Sequence, residues 1–350
     1  MARVILHIGP HKTGTTSLQE DLHAMRDSLA QAGIVYPDRW RQRSAAHHAL
    51  FYRVKAIGGT STPEAEAALR ADIEEVRGDA ACLVVSSESF STLGPDAIAA
   101  LRRVLEGHRV EVVYFVRRWS GLLPSFWQQE VKFGRGPILP SFCRKHLADP
   151  SRSHVLNAKA SLNRFATAFG DDAIRIGAYD AVVDAKQSLV SVFLRRAAGV
   201  PLEPPPKPSW TNASLTPELT EALRALNVMA AREAGHPVLD HEVWRALESI
   251  GEAAAAPLAV LRKAMQPHLA TLRLENHSDA FVAMQRELVD RFGQHRITGE
   301  GDEPLFGTPS ASERACAHVA GGYQQAPGVA GALAELHAMV GEIRRQRAAG

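Results

Sequence analysis

Gly9-Pro10-His11-Lys12-Thr13-Gly14-Thr15-Thr16-Ser17 joins a short apolar run, Val4 to Ile8, to an amphipathic stretch that begins at Thr15. Glycines let a backbone close on an anion, a helix N-terminus offers N–H groups without intrahelical partners, and the helix dipole favours negative charge. Lys12 adds a full cation, and Thr15, Thr16 and Ser17 add hydroxyl donors. This is the chemistry of a phosphate-binding loop. In a loop of the G-x-x-x-x-G-K-[ST] type the lysine follows the second glycine directly. Here Lys12 stands two residues before Gly14, so it approaches a ligand from the strand side of the loop.

Such a loop needs a strand behind it and a helix after it. Val4 to Ile8 reads as a buried strand. From Thr15 a helix carries Leu18, Leu22, Met25 and Leu29 on one face and stops at Gly33. Helices are expected over Ala45 to Ile57, Pro63 to Val76 and Pro95 to Glu106. Further buried strands are expected at Cys82 to Val85, Val110 to Val116 and Ile174 to Ala178, the last preceded by a helix over Leu162 to Phe169. An amphipathic helix with Leu122, Leu123, Phe126, Trp127 and Val131 follows Arg117-Arg118, and Pro124 sits near its start, where proline costs least. Apolar strands alternating with helices predict an α/β fold: a three-layer sandwich around a mainly parallel sheet, related to the P-loop nucleotide folds.

Pro201 to Pro208 holds five prolines and marks a linker or extended excursion. Beyond it the chain reads as helical, roughly over 217–234, 240–250, 255–272 and 279–292. Residues 297–312 are polar and turn-rich, and Leu333, Leu336, Val340 and Ile343 form the stripe of a last helix with a basic end. The expected organisation is an α/β core over 1–200, a helical part of the same domain over 201–300 that covers the acceptor site, and a tail over 301–350.

The 350 residues are 45% hydrophobic and 22% charged, ordinary for a globular protein long enough to bury about three quarters of its extended surface. Lys and Arg total 40 against 38 Asp and Glu, a net charge of +2, which excludes a bulk polybasic nucleic-acid binder but not a local anion site. Cys82, Cys143 and Cys316 lie more than 60 residues apart, so neither a disulfide framework nor a metal spacing can be drawn from them. The first apolar run is too short for a secretory signal, and no stretch approaches the ~18–20 apolar residues of a membrane span. A cytoplasmic, reducing location is expected.

The Lys12–Ser17 block resembles the loop of the sulfotransferases that use 3′-phosphoadenosine 5′-phosphosulfate (PAPS), which carry Lys-[Ser/Thr]-Gly-Thr-[Thr/Ser] after their first strand. The resemblance implies that Lys12, Thr13, Gly14, Thr15, Thr16 and Ser17 hold the 5′-phosphosulfate, with Lys12 close to the bridging oxygen. Family members hold the 3′-phosphate with an arginine at the end of a buried strand and a serine eight residues on. Arg117 ends Val112 to Val116 here, and Ser125 stands eight residues after it. Arg118 could substitute for Arg117. Trp119, Phe126 and Trp127 could stack on adenine or belong to the core. The late Arg-Lys-Gly segment of many members is missing. Trp210-Thr211-Asn212-Ala213-Ser214-Leu215 resembles Asn-x-Ser-Leu segments of bacterial members. The resemblance is specific over about 4–18 and 112–132, looser over 80–90 and 170–228, and absent after about 230.

The implied reaction is transfer of a sulfuryl group to a hydroxyl or amine, with no metal required. It needs a group that takes the acceptor's proton, and family members use a His or a Glu. His48 and Glu88 are the level candidates, with His47 behind them. Histidine titrates near neutral pH. Glu88 follows the second buried strand, at the carboxyl end of the sheet where α/β ligand sites form. His7 is expected in the core, and His11 beside the donor loop. The acceptor is expected to be a small molecule or glycan, with a carbohydrate or glycolipid favoured, and a homodimer is left open. An ATP-dependent kinase is the first alternative, disfavoured by the lysine's position. A nucleotide-binding or partner-binding protein without activity is the second.

Overall fold

Five segments with near-continuous burial make the central sheet: β1 (Arg3–His7), β2 (Ile34–Val35), β3 (Cys82–Ser86), β4 (Arg109–Val116) and β5 (Ile174–Ala178). They lie in the order β2-β3-β1-β4-β5, all parallel. Ile5 pairs with Val84 on one side and Glu111 on the other, and Phe115 with Gly177. In a parallel sheet both faces are covered, so neither face of these strands reads as polar.

The computed structural model describes residues 2–59, 62–204, 214–274, 279–298, 305–306 and 315–349. On one face of the sheet Ile5, Val84, Val113 and Phe115 pack with Leu18, Leu22 and Leu29 of the first helices and with Val190, Phe193 and Leu194. Alternate residues of the same strands, Val4, Leu6, Leu83, Val85, Val112 and Tyr114, are equally buried on the other face. Helices Pro95–Val104 and Ala158–Phe169 run on that side and complete the third layer. The segment after residue 295 closes the β5 edge: Ile297 N–H donates to Ile176 C=O at 2.9 Å, and Ala178 N–H to Thr298 Oγ1 at 2.6 Å. An edge strand is thereby denied its free ladder groups.

The chain divides into two compact units. The first comprises Met1–Arg118, Leu156–Trp210 and His277–Pro309, and holds the parallel sheet. The second comprises Trp119–Val155, Thr211–Asn276 and Ser310–Gly350. It contains helices Trp119–Lys132, Leu139–Ala148, Pro217–Ala234, Glu242–Ile250, Ala255–Met265 and Val329–Ala349, and an antiparallel pair, β6 (Leu269–Arg273) with β7 (Ala315–Val319). Leu336 and Val340 of the last helix are buried, and that helix packs on the other helices of its own unit. No helix among the described residues is long and apolar enough to cross a membrane.

Several expected boundaries move. The single helix from Thr15 to Gly33 is two, Thr15–Ala24 and Arg26–Gln31, parted at Met25, whose φ of −91° and ψ of 4° leave the helical region. The helix expected over 255–272 ends at Met265, and Leu269–Arg273 is strand: Pro267 interrupts the helix, and pairing with a segment some 45 residues on does the rest. The helix expected from Ala45 begins at His48. Helices Tyr179–Asp184 and Leu189–Phe193 and the two-residue strand β2 carry no pattern long enough to read, whereas helix Leu139–Ala148 buries Leu139, Phe142, Cys143 and His146 at helical spacing and is missing from the sequence reading. Of Trp210 to Leu215, the residues before Ser214 lie outside the described residues, as does most of 297–312; Leu215 C=O accepts from Gln128 Nε2 at 3.0 Å.

Candidate active site

Because β1, β3, β4 and β5 are parallel, the segments that leave their carboxyl ends meet at one edge of the sheet. From β1 comes the Gly9–Gly14 loop, from β3 Ser87 and Glu88, from β4 Arg117, and from β5 Tyr179 and Asp180.

The loop is held by its own residues. Gly9 has φ +98°, and a Cβ there would stand 2.8 Å from Glu88 Cα and 2.9 Å from its Cβ. Only glycine lets the loop lie against Glu88 this closely. Gly9→Ala should therefore cost about 2 kcal/mol or more from left-handed strain and overpacking together, read as a lower denaturation midpoint; an unchanged midpoint would refute the close approach. Thr13 is fully buried, and its hydroxyl donates to Pro10 C=O at 2.8 Å. Gly14, at φ +73°, caps helix Thr15–Ala24 with no side-chain cap and no acidic residue in the first turn. The cap residue itself thus offers no side-chain competitor for an anion at that helix N-terminus. Thr15 is buried, Thr16 exposed, and Ser17 half-buried. Gly14, Ser17, Tyr179 and Lys186 line an open cavity of about 500 Å³, and Tyr179 lies so close to Gly14 that a Cβ there would stand 2.8 Å from its ring.

Lys12 takes φ +68°, the one left-handed non-glycine position of the loop. Its carbonyl accepts from Arg117 Nη1 at 2.6 Å. The Arg117 guanidinium also lies over the Tyr179 ring, 5.1 Å from its centroid, and its Nε is buried with no partner. Arg118 is spent differently. It is 4% exposed, donates to Phe306 C=O at 3.0 and 2.6 Å and pairs with Asp184 at 2.7 Å. Its backbone N–H goes to Asp180 Oδ2 at 2.6 Å. Burial pushes the Asp180 carboxyl up against the opposing pull of that N–H and the two arginines. Of the adjacent pair, then, Arg117 lies against the Gly9–Gly14 loop and Arg118 in the framework.

Glu88 lies on the other side of the loop. Gln19 Nε2 donates to its Oε2 at 2.9 Å, while His11 Nδ1 and His48 Nε2 each stand 3.8 Å from its Oε1. Burial raises the carboxyl's pKa, but His11, the Gln19 amide, its own N–H and His48 outweigh that and hold it below the usual glutamate value. Burial lowers the His11 imidazole despite Glu88, helped by Lys12 and His48. His48 Nδ1 meets the Ser87 hydroxyl at 2.9 Å. That hydroxyl also accepts from Ser89 N–H at 3.3 Å, and the Nε2 side of the His48 ring faces Glu88.

His47 does not join this group. It is fully buried, takes Ser86 N–H on Nδ1 at 3.0 Å and gives its Nε2 proton to Pro37 C=O at 2.8 Å. Both ring nitrogens are used, so it has no lone pair for a substrate proton. His7 is core as expected: fully buried, on Ser86 Oγ at 2.7 Å and edge-on to Phe115 and Phe193. Burial pulls both imidazoles down to about 4, His7 against the attraction of Glu88 and His47 in spite of its bond to Pro37. Their depressed folded pKa values mean that below the unfolded value of about 6.5 the unfolded chain binds protons the fold refuses. Stability should be full above that pH and fall toward pH 4, by up to ~1.4 kcal/mol per pH unit for each histidine. Urea unfolding at pH 7 and pH 5 checks this; equal stability would contradict it.

Ser125 lies in the second unit, half-buried on helix Trp119–Lys132. Trp119 and Trp127 are buried in that unit, and the Trp127 indole donates to Pro137 C=O at 2.7 Å, which makes it a framework residue. Phe126 is half-buried, edge-on to His154. Sequence reasoning missed Gln19, whose side chain is 2% exposed and also reaches Ser86 Oγ at 3.2 Å. Its only signal is an amide directly beside the Leu18 and Leu22 stripe. Tyr179, under Arg117, follows β5 with no motif around it.

No family model matches the chain, and no curated protein matches it. A solved structure, the sulfotransferase domain from the curacin biosynthetic pathway, is similar over 58% of this chain and 75% of that one, at 12% identity and a TM-score of 0.34.

Proposed function

We propose that this protein transfers a sulfuryl group from PAPS to a hydroxyl or amine of an acceptor. The supporting observation is one convergence. A lysine-bearing loop at a helix N-terminus, an arginine hydrogen-bonded to that loop at 2.6 Å, and a carboxylate kept ionised by its neighbours share one end of a parallel sheet. The donor's two phosphate-bearing ends suit this set. The uncapped N–H groups and Lys12 match a phosphosulfate, and Arg117, with a buried Nε still lacking a partner, matches a second anionic group.

In the reaction the acceptor oxygen or nitrogen forms a bond to sulfur as the sulfur–oxygen bond to the 5′-phosphate breaks. The acceptor loses a proton, and adenosine 3′,5′-bisphosphate leaves. Lys12 and the helix N-terminus offset the charge that grows on the departing phosphate. Glu88 takes the proton: its neighbours hold its carboxyl below the usual glutamate value, so it is ionised near neutral pH, and His48 Nε2 faces it. His48 and Gln19 orient the carboxylate.

Thermal unfolding with adenosine 3′,5′-bisphosphate, against ATP and AMP with and without Mg²⁺, tests the donor. A ligand at 100 times its Kd stabilises by ~2.7 kcal/mol. A metal-independent rise in Tm with the bisphosphate is expected. A rise only with Mg-ATP, or none with any nucleotide, overturns the proposal.

A further inference from the structure

Two adjacent residues at the end of a strand meet two adjacent residues at the start of a helix. Ser86 ends β3 and Ser87 follows it, while His47 precedes helix His48–Gly59 and His48 opens it. The residues match one to one, and each match uses different atoms. His47 N–H donates to Ser86 C=O at 2.9 Å, and Ser86 N–H donates to His47 Nδ1 at 3.0 Å. These two bonds stitch the start of the helix to the sheet. His48 and Ser87 meet through their side chains, Nδ1 to hydroxyl at 2.9 Å.

Ser87 is a rigid post. It is fully buried, its backbone is extended at φ −156° and ψ 125°, and its N–H donates to His7 C=O of β1 at 3.0 Å. Its hydroxyl also takes Ser89 N–H at 3.3 Å, which limits where the oxygen can lie. A hydroxyl both gives and accepts, so its bond to His48 Nδ1 stands in either imidazole tautomer.

The His48 ring is held more loosely on its other side. Its side chain is 25% exposed, and Nε2 stands 3.8 Å from Glu88 Oε1, too far for a hydrogen bond to keep it there. Turning either side-chain torsion carries Nε2 away from the carboxylate. The bond at Nδ1 opposes both turns, because it ties one ring nitrogen to a fixed point of the sheet.

We propose that Ser87 is a positioning residue: its hydroxyl aims the His48 imidazole at Glu88. The inference rests on the reading of Glu88 as the proton acceptor, and Ser87, sealed from solvent, acts through His48.

Glu88 is faced by His11 from the first loop, Gln19 from the first helix and His48 from helix His48–Gly59, and more remotely by His7 of β1 and by Tyr36. Burial raises the Glu88 carboxyl, and His11, the Gln19 amide, its own N–H and His48 pull it down. Of these, His48 is the one bonded to the Ser87 hydroxyl. Loss of that hydroxyl should therefore let the Glu88 pKa rise.

Carbon-13 NMR of the glutamate carboxyls, with the Glu88 signal assigned through Glu88→Gln, follows this titration in the full chain without substrate. The Glu88 midpoint is expected to move to higher pH in Ser87→Ala, toward its position in His48→Ala. The double variant should match His48→Ala alone, since both changes remove one interaction. If Ser87→Ala does not fold, Ser87→Cys fills the same buried space with a weak hydrogen-bonding group and carries the same expectation. Turnover with PAPS separates this inference from the reading beneath it. Ser87→Ala should lower kcat by up to ~10²-fold, as a misplaced group does, and leave the rise in Tm with adenosine 3′,5′-bisphosphate intact. An unchanged midpoint, a double variant whose shift is the sum of the single shifts, or an unchanged kcat where the wild type is active overturns the proposal. If the wild type shows neither turnover nor a rise in Tm, the donor reading fails, and the carboxyl midpoint still decides the place of Ser87.

Discussion

Lys12→Ala and Arg117→Ala should each lower turnover by at least ~10²–10³-fold, the cost of removing one preorganised group from a developing anion. The two fail for different reasons. Lys12→Ala keeps a non-glycine residue at φ +68°, so the loop strain is of the same kind and the lost quantity is charge. Arg117→Ala removes a cation and also the donor to Lys12 C=O, and so loosens the loop itself. Arg117→Lys separates these effects: it keeps a charge but not the planar fork that reaches the carbonyl while stacked on Tyr179. The measurement is kcat/KM with PAPS together with the Tm shift caused by adenosine 3′,5′-bisphosphate. Both variants should lose both signals. Wild-type rates in either would remove that residue from the site.

Glu88→Gln should lower turnover by ~10²–10⁴-fold, the usual worth of a positioned proton acceptor, while leaving the bisphosphate shift intact. His48→Ala should cost less and change the pH profile. The acceptor must be ionised, so activity falls as pH drops through its pKa. His11, Gln19 and His48 together hold Glu88 below its ordinary value against burial. Removing His48 lets that pKa rise, so the acid limb of the profile should move to higher pH. Gln19→Leu should move it the same way, which a merely structural glutamine would not do. If His48→Ala abolishes turnover and Glu88→Gln only displaces the limb, the roles are reversed: His48 takes the acceptor's proton on a ring nitrogen, and Glu88 orients the imidazole.

The Gly9–Ser17 loop was legible because all of it is local. An apolar run, two glycines with a lysine between them, and a hydroxyl cluster opening a helix lie within fourteen residues, Val4 to Ser17, and each acts through its chain neighbours. The sheet was legible for the same reason, since strands buried on both faces are written as unbroken apolar runs, and Arg117 stood out as the charge that ends one of them. Short elements such as Ile34–Val35 and Leu189–Phe193 were not legible, because a few residues carry no period. The strand at Leu269–Arg273 was read as helix, because its half-exposed alternation acquires meaning only from pairing with Ala315–Val319.

The roles around Glu88 belong to the tertiary structure alone. His47 and His48 are adjacent in sequence and chemically identical, yet one is sealed between Ser86 and Pro37 while the other stands 3.8 Å from Glu88. Arg117 and Arg118 divide in the same way, one to the Lys12 carbonyl and one to Phe306 and Asp184. Neighbouring side chains leave a backbone in different directions, and which direction meets a partner depends on elements tens of residues away. By itself the sequence determined the parallel α/β framework and the make-up of its first loop, on which the proposed donor site rests. Close packing across the sheet decided which histidine, which arginine and which buried amide reach that loop, since burial and hydrogen-bond geometry are set by what lies opposite in space.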